Sequence, residues 1–356
     1  MNESAQPELD PALLAQAEDL HRSHPVVECH TDIALDVRRR RAAGEAAPLA
    51  DDYLQRLRKG GVDVQLLAVG GDVPNAYDCA GGPVDCARLL VEDALAEAGS
   101  SEELRIVRSS TDLDETLEHG HLGLVLHFEG LQPILADGLG AAIPALHGFY
   151  ELGLRSVQLT WNGPNELADG IGVASPRRLT STAQPLIREL EELGIVIDVA
   201  HLSEPAFWDL MGMVHRPVVC SHANAKALCD HPRNLTDAQI QAIAASGGYV
   251  GVCFIGDFID EHDPSLDLLL DHVDHIAALV GAEQLAVGPD YVAFAPDLML
   301  GPDDQDHLGP EGLRDVETLP VFTAGLLSRG YSEEDVARII GGNALRVLRG
   351  LLPVGS

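Results

Sequence analysis

PVVECHTD, residues 25–32, is a short β-branched run ending in two side chains that can bind a metal, His30 and Asp32. Residues two apart on an extended chain point the same way, so one cation could take a ring nitrogen and a carboxylate oxygen from this strand end. Seven more runs of this kind follow, at 63–69, 122–128, 156–160, 195–200, 218–221, 249–254 and 285–287. Most are apolar almost without interruption, as expected for strands covered on both faces. Helical patterns lie between them at 85–98, 182–193, 236–246 and 268–280. Thr236 and Asp237 carry N-cap chemistry, and Gly194, Gly247 and Gly281 stand where helices end on glycine. Strands alternating with helices predict a parallel sheet, and eight such units predict closure into a (β/α)8 TIM barrel. An open doubly wound sheet would carry a Gly-rich phosphate loop after its first strand, and the sequence has none.

The 356 residues suit one such barrel with insertions. No internal repeat, low-complexity tract or linker divides them. We therefore expect a single domain over 1–356, with a barrel core of about 25–300 and a C-terminal helical segment of about 311–350. Residues 11–21 read as an N-terminal helix that caps the barrel. A C-terminal helix is expected over 332–348, begun by Ser332 with Glu333, Glu334 and Asp335 in its first turn.

Lys and Arg number 23 against 56 Asp and Glu, a formal net charge of −33. That balance argues against nucleic acid and against anionic membrane surfaces as partners. The N-terminal residues have neither a basic stretch nor an apolar one, and no apolar run approaches the roughly 18–20 residues of a spanning helix. The expectation is a soluble cytoplasmic protein. None of the six cysteines forms a C-x-x-C pair, which excludes a zinc ribbon or a thioredoxin-like motif. Most read as buried thiols in a reducing compartment; Cys79 and Cys86 share a Gly-rich loop where a disulfide is conceivable.

The chemistry lies in where the polar residues fall. Active sites of this fold form at the C-terminal ends of the strands. Besides His30 and Asp32, those ends carry His127 and Glu129, Asp198 and His201, His222 and Asn224, and Asp290. A lone strand-end His is more often structural, and a lone Asp is often a helix cap. Five ends sharing such groups is different, because burying them together is costly unless cations compensate. The set exceeds what one catalytic zinc uses, so two metals bridged by one carboxylate account for it better. Asp290 is then the base that orients and deprotonates the attacking water. Mixed nitrogen and oxygen ligands suit zinc, with manganese, cobalt or iron as alternatives.

Across nearly the whole chain, ECHTD, HFEG, LGLRSVQLTWNGPNELADG, LGIVIDVAHLS, PVVCSHANA, HPRNLTD and GLRDVETLPVFTAGLLSRGYSEEDVARIIGGNALRV follow in order. In these markers the chain resembles the membrane dipeptidase (renal dipeptidase) family of the amidohydrolase superfamily. The resemblance implies a binuclear zinc site in which His30 and Asp32 hold one metal, His201 and His222 the other, and Glu129 bridges them. It implies Asp290 as acid/base and Arg233 as the clamp on a substrate carboxylate, a task that suits a guanidinium fork. The implied reaction is hydrolysis of dipeptides, often tolerant of a D-residue on the C-terminal side. Homodimers are common in that family. Two departures stand out. The family's LTHN is here Leu159-Thr160-Trp161-Asn162, so an indole replaces a histidine that contacts the substrate carbonyl. Either Trp161 or Asn162 takes over that contact, or the substrate differs. The family's GGDFDG is here Gly288-Pro289-Asp290-Tyr291-Val292-Ala293, which keeps only the first Asp.

Other candidates have plainer readings. His127 is expected beside the site or in the core, Cys220 as a buried neighbour, and Asp198 as a partner of a histidine or of backbone. His272 and His275, beside Asp271 and Asp274, read as a solvated helix face. Residues 303–307 read as a surface loop, and 72–82 as a loop lining the substrate pocket. Three functions compete: a zinc dipeptidase, a related amidohydrolase acting on a specialised small amide in a biosynthetic pathway, and a metal-binding barrel without catalysis. The complete ligand set counts against the last.

Overall fold

The computed structural model describes residues 10–72, 81–294 and 308–355. Nine strands are found among them: β1 (Val26–Thr31), β2 (Val62–Gly71), β3 (Leu104–Ile106), β4 (Leu122–Glu129), β5 (Leu154–Gln158), β6 (Val196–Asp198), β7 (Val218–Val219), β8 (Val250–Val252) and β9 (Leu285–Val287). Eight pair in the order β7-β6-β5-β4-β2-β1-β9-β8, and each of these pairings is parallel. A parallel bridge between Cys220 and Val250 joins the two ends, with Gly251 N–H donating to Cys220 O at 2.7 Å. The chain is a (β/α)8 TIM barrel.

The unforeseen strand is β3, which pairs with Leu122–Leu124 at the start of β4 before β5 takes over that edge. Arg105 interrupts the continuous apolar run by which the other short strands, such as Leu285–Val287, are read. The expected helices are present as Pro83–Ser100, Gln184–Leu193, Asp237–Ala245 and Leu266–Val280. Thr236 forms a full capping box with Gln239.

Two packed regions hold the barrel. Val27, Cys29, Val64, Leu66, Val125, Val196 and Val219 meet inside the ring, where Leu345, Leu348 and Leu351 of the last helix join them. The C-terminal helix, rather than the N-terminal one, therefore closes the barrel's interior. The larger region lies between strands and outer helices. Residues 11–21 do form a helix, Pro11–Ser23, but it packs on Leu319–Ser328 instead of capping the barrel. Its buried His21 spans the gap, bonded to Gly60 O at 2.8 Å and Thr323 Oγ1 at 2.7 Å.

The expected helix over 332–348 begins as foreseen, with Ser332 Oγ accepting from Asp335 N–H. It is then interrupted: Glu333–Ala337 passes through a wide turn, Arg338–Gly342, into Asn343–Leu351. Gly341 gives the reason, because a Cβ there would lie 2.1 Å from Pro25 O at the foot of β1.

His272 also departs from expectation. It is buried, accepts from Ala225 N–H at 3.1 Å through Nδ1, and bonds Ile259 O through Nε2. It ties the loops after β7 and β8 to the helix, while His275 keeps the outward pairing with Asp237. Cys29, Cys220, Cys229 and Cys253 are buried free thiols. Cys86 is disulfide-bonded; Cys79, like the 303–307 loop and most of the 72–82 loop, lies outside the described residues. Among the described residues, no helix is long and apolar enough to cross a membrane.

Candidate active site

The strand ends converge, although His30 and Asp32 do not share one extended strand face as their spacing suggested, because Asp32 lies beyond β1. On β1 one extra residue is inserted between Glu28 and Thr31 relative to β2, where Glu28 faces Gln65 and Thr31 faces Leu67. A bulge of this kind re-aims side chains. Cys29 can thus join the barrel core while His30 points into the site. Asp32 has already left the strand at the start of the helix Ile33–Ala42. Glu129 ends β4, level with Gln158 on β5, which is level with Asp198 on β6.

His30 Nε2 lies 3.5 Å from Asp32 Oδ2, 3.5 Å from Glu129 Oε1 and 3.7 Å from Asp290 Oδ1. From the other side, His201 Nε2 approaches Glu129 Oε1 at 3.1 Å and His222 Nε2 at 3.0 Å. His222 Nε2 is 3.9 Å from both Glu129 and Asp290. Glu129 Oε1 thus stands between the two groups, within 3.9 Å of three imidazole nitrogens. Donor atoms of His30, Glu129 and His222, and again of His30, Asp32 and Asp290, come close enough for a single ion.

Two non-glycine residues among those described have positive φ, His201 at 64° and Asp290 at 57°. That backbone region costs about 1–3 kcal/mol and persists where surroundings enforce it, typically at functional sites.

The electrostatics ask for positive charge. Burial and the neighbouring Asp32 charge push Glu129 far above the usual carboxylate range. Burial also raises Asp290. Burial works against protonating His30, but Asp32, Glu129 and Asp290 outweigh it and lift its pKa to about 10. Burial pulls His201 and His222 well below the ordinary imidazole value, so they stay neutral with lone pairs to offer. Both ring nitrogens of His30 are buried without a hydrogen-bond partner. Orphaned nitrogens among crowded carboxylates fit a cation site far better than a self-sufficient network.

The supporting residues differ in part from expectation. Asn162, expected at the substrate, places Oδ1 2.7 Å from His201 Nδ1. A donated Nδ1–H there would leave Nε2 free as a ligand. Ser221 Oγ does the same for His222 Nδ1 at 2.8 Å. Asp198 accepts from the backbone N–H of Ala200 and Ser221, so it fixes the turns that carry His201 and His222. His127 is buried, bonded to Ser156 Oγ and edge-on to the His30 ring. Trp161 is half-buried with its ring 6.1 Å from that of His201. Arg233 is buried over the Phe258 ring, donates to His222 O at 3.0 Å, and keeps an unpartnered Nε.

Sequence reasoning missed the role of Asp72. It accepts from Gln132 N–H and Asn165 Nδ2, while its own N–H donates to Glu129 O. Burial pushes its pKa up to about 6 against those bonds and one from the Trp161 backbone. It therefore pins the loops after β2, β4 and β5 together. Gly130 permits this, since at its φ of 113° a Cβ would fall 2.2 Å from Asp72 Cγ. The glycine of HFEG was the available signal.

Residues 14–352 match the family model of membrane dipeptidases, peptidase family M19. An uncharacterized protein encoded in the pqqA 5′ region of Klebsiella pneumoniae is 33% identical over 263 residues, 71% of this chain and 90% of that protein. Mouse dipeptidase 3 is 29% identical over 354 residues, 96% of this chain and 67% of its own length. Among solved structures, a Rhodobacter sphaeroides metallopeptidase liganded with a phosphinate mimic of L-Ala-D-Ala superposes with TM-score 0.79 at 25% identity, covering 92% of this chain and 99% of that one.

Proposed function

We propose, since this chain belongs to the membrane dipeptidase family, that it is a metal-dependent dipeptidase with two zinc ions per chain. His30 and Asp32 would hold one ion, His201 and His222 the other, and Glu129 would bridge them. Bound there, the pair supplies an acidified water and an electrophile for the scissile carbonyl. Asp290 receives the proton of the attacking water and returns it to the leaving amine, a task that suits a carboxylate raised by burial. Arg233 takes the substrate's terminal carboxylate on its guanidinium fork. Trp161 contributes an indole wall and a single N–H donor at the substrate end of the site.

The observation that carries this reading is Glu129 Oε1 within 3.9 Å of three imidazole nitrogens while both nitrogens of His30 lack partners. A D-residue on the C-terminal side is supported by the Rhodobacter relative's ligand. Trp161 favours a second reading, a related amidohydrolase with a specialised small amide substrate. A panel of L-L and L-D dipeptides, tested on metal-stripped and then zinc-loaded protein, decides between them. Amino acid release that returns with zinc supports the dipeptidase; silence across the panel from zinc-loaded protein favours the specialised amide.

A further inference from the structure

Beside the metal cluster a second cavity opens between the loop after β6 and the loop after β7. His201, Arg233, Lys226, Glu204, Thr236 and Gln239 stand in its wall. Its cavity volume is about 50 Å³, room for a few water molecules or for the carboxylate end of a side chain. Two cations share this wall in a chain whose formal charge is −33 and which has only two lysines, Lys59 and Lys226. Arg233 is 5% exposed and its Nε has no partner. The only ion pair of Lys226 found among the described residues is with Asp230 at 3.5 Å, and that carboxylate is 86% exposed. A pair of this kind contributes little and is readily exchanged for a ligand. The one carboxylate in the wall, Glu204, accepts from Trp208 Nε1.

Resting on the dipeptidase reading, we propose that Lys226 is a specificity-determining residue and that the preferred substrates carry an acidic side chain on the C-terminal residue. Arg233 takes the terminal carboxylate, whose recognition needs the bidentate fork. Lys226, a point charge on a flexible stem, takes the side-chain carboxylate a few bonds away. Bringing two carboxylates to an acidic protein is unfavourable at long range, so the local pair of cations must supply the attraction.

The test compares Ala-Glu with Ala-Gln, in L-L and L-D forms, for the zinc-loaded wild type and Lys226→Met. Glutamate and glutamine differ in charge but hardly in shape. The expected wild-type ratio of kcat/KM, Glu over Gln, is about tenfold or more, falling towards one in the variant. In parallel, calorimetric binding of free D- and L-glutamate against glutamine reads the same preference without turnover. Should no dipeptide be cleaved, the dipeptidase reading fails, and this binding comparison still decides the role of Lys226. A glutamate preference lost in Lys226→Met upholds it; equal affinity for glutamate and glutamine, or a preference that survives the substitution, overturns it.

Discussion

His201 Nδ1 lies 2.7 Å from Asn162 Oδ1, which fixes the imidazole with its Nε2 turned towards Glu129, 3.1 Å away. Removing an outer partner of a metal-binding histidine typically weakens the metal by about 10–100-fold. Asn162→Ala is expected to lower zinc affinity by about that factor, measured by competition with a chromogenic chelator, while the thermal midpoint of the metal-free protein stays close to wild type. Unchanged affinity would mean that the amide belongs to the substrate instead.

Arg233 presses on Phe258 and donates to His222 O. Lysine keeps the charge but loses the fork and the planar stacking. Arg233→Lys is expected to raise KM and lower kcat/KM by about 10–100-fold on a dipeptide, with smaller loss on a substrate whose terminal carboxylate is amidated. An equal loss on both substrates would assign the arginine a purely structural role.

Gly130 cannot carry a side chain without displacing Asp72. Gly130→Ala combines an unfavourable φ with a clash against a buried carboxylate, so a loss of at least about 3 kcal/mol is expected in denaturant unfolding. Activity should fall along with it, because Asp72 also anchors the Trp161 loop. A stability change under about 0.5 kcal/mol, the range of ordinary surface substitutions, would contradict the geometry.

Glu28 is wholly buried with Gln65 as its partner, and burial pushes its pKa up from 4.5 to about 8. The folded state thus holds this proton more tightly than the unfolded one. Its stabilising contribution is complete below pH 4.5 and is lost as the pH rises to about 8. Glu28→Gln should therefore gain stability relative to wild type across that window, on the order of a few kcal/mol, and the difference should level off at higher pH. Unfolding curves of metal-free protein at a series of pH values check this; a difference independent of pH refutes it.

Strand runs and their polar ends were legible because burial on both faces leaves a continuous apolar signature and the fold puts chemistry at one end. All six residues read as metal ligands or base, His30, Asp32, Glu129, His201, His222 and Asp290, do meet in space. Period-two alternation was a weaker guide, because the bulge in β1 turns consecutive residues towards the interior. Tertiary ties were not legible. Nothing local to His272 says that it caps the loop at Ala225, and nothing near Asn162 says that it faces His201 rather than solvent. The break at Gly341 is set by Pro25, more than three hundred residues away in sequence. The β3 strand is recognised only through its partner β4.

Amino acid release from L-Ala-D-Ala and its L-L counterpart, with metal content measured on the same samples of wild type and His201→Ala, puts the dipeptidase reading to its sharpest test. Expected are about two zinc ions per chain and cleavage by the wild type, with cleavage abolished and metal content falling towards one ion per chain in His201→Ala. Wild-type protein that holds two zinc ions yet releases no amino acid from either dipeptide, or from Ala-Glu in L-L and L-D forms, would overturn that reading.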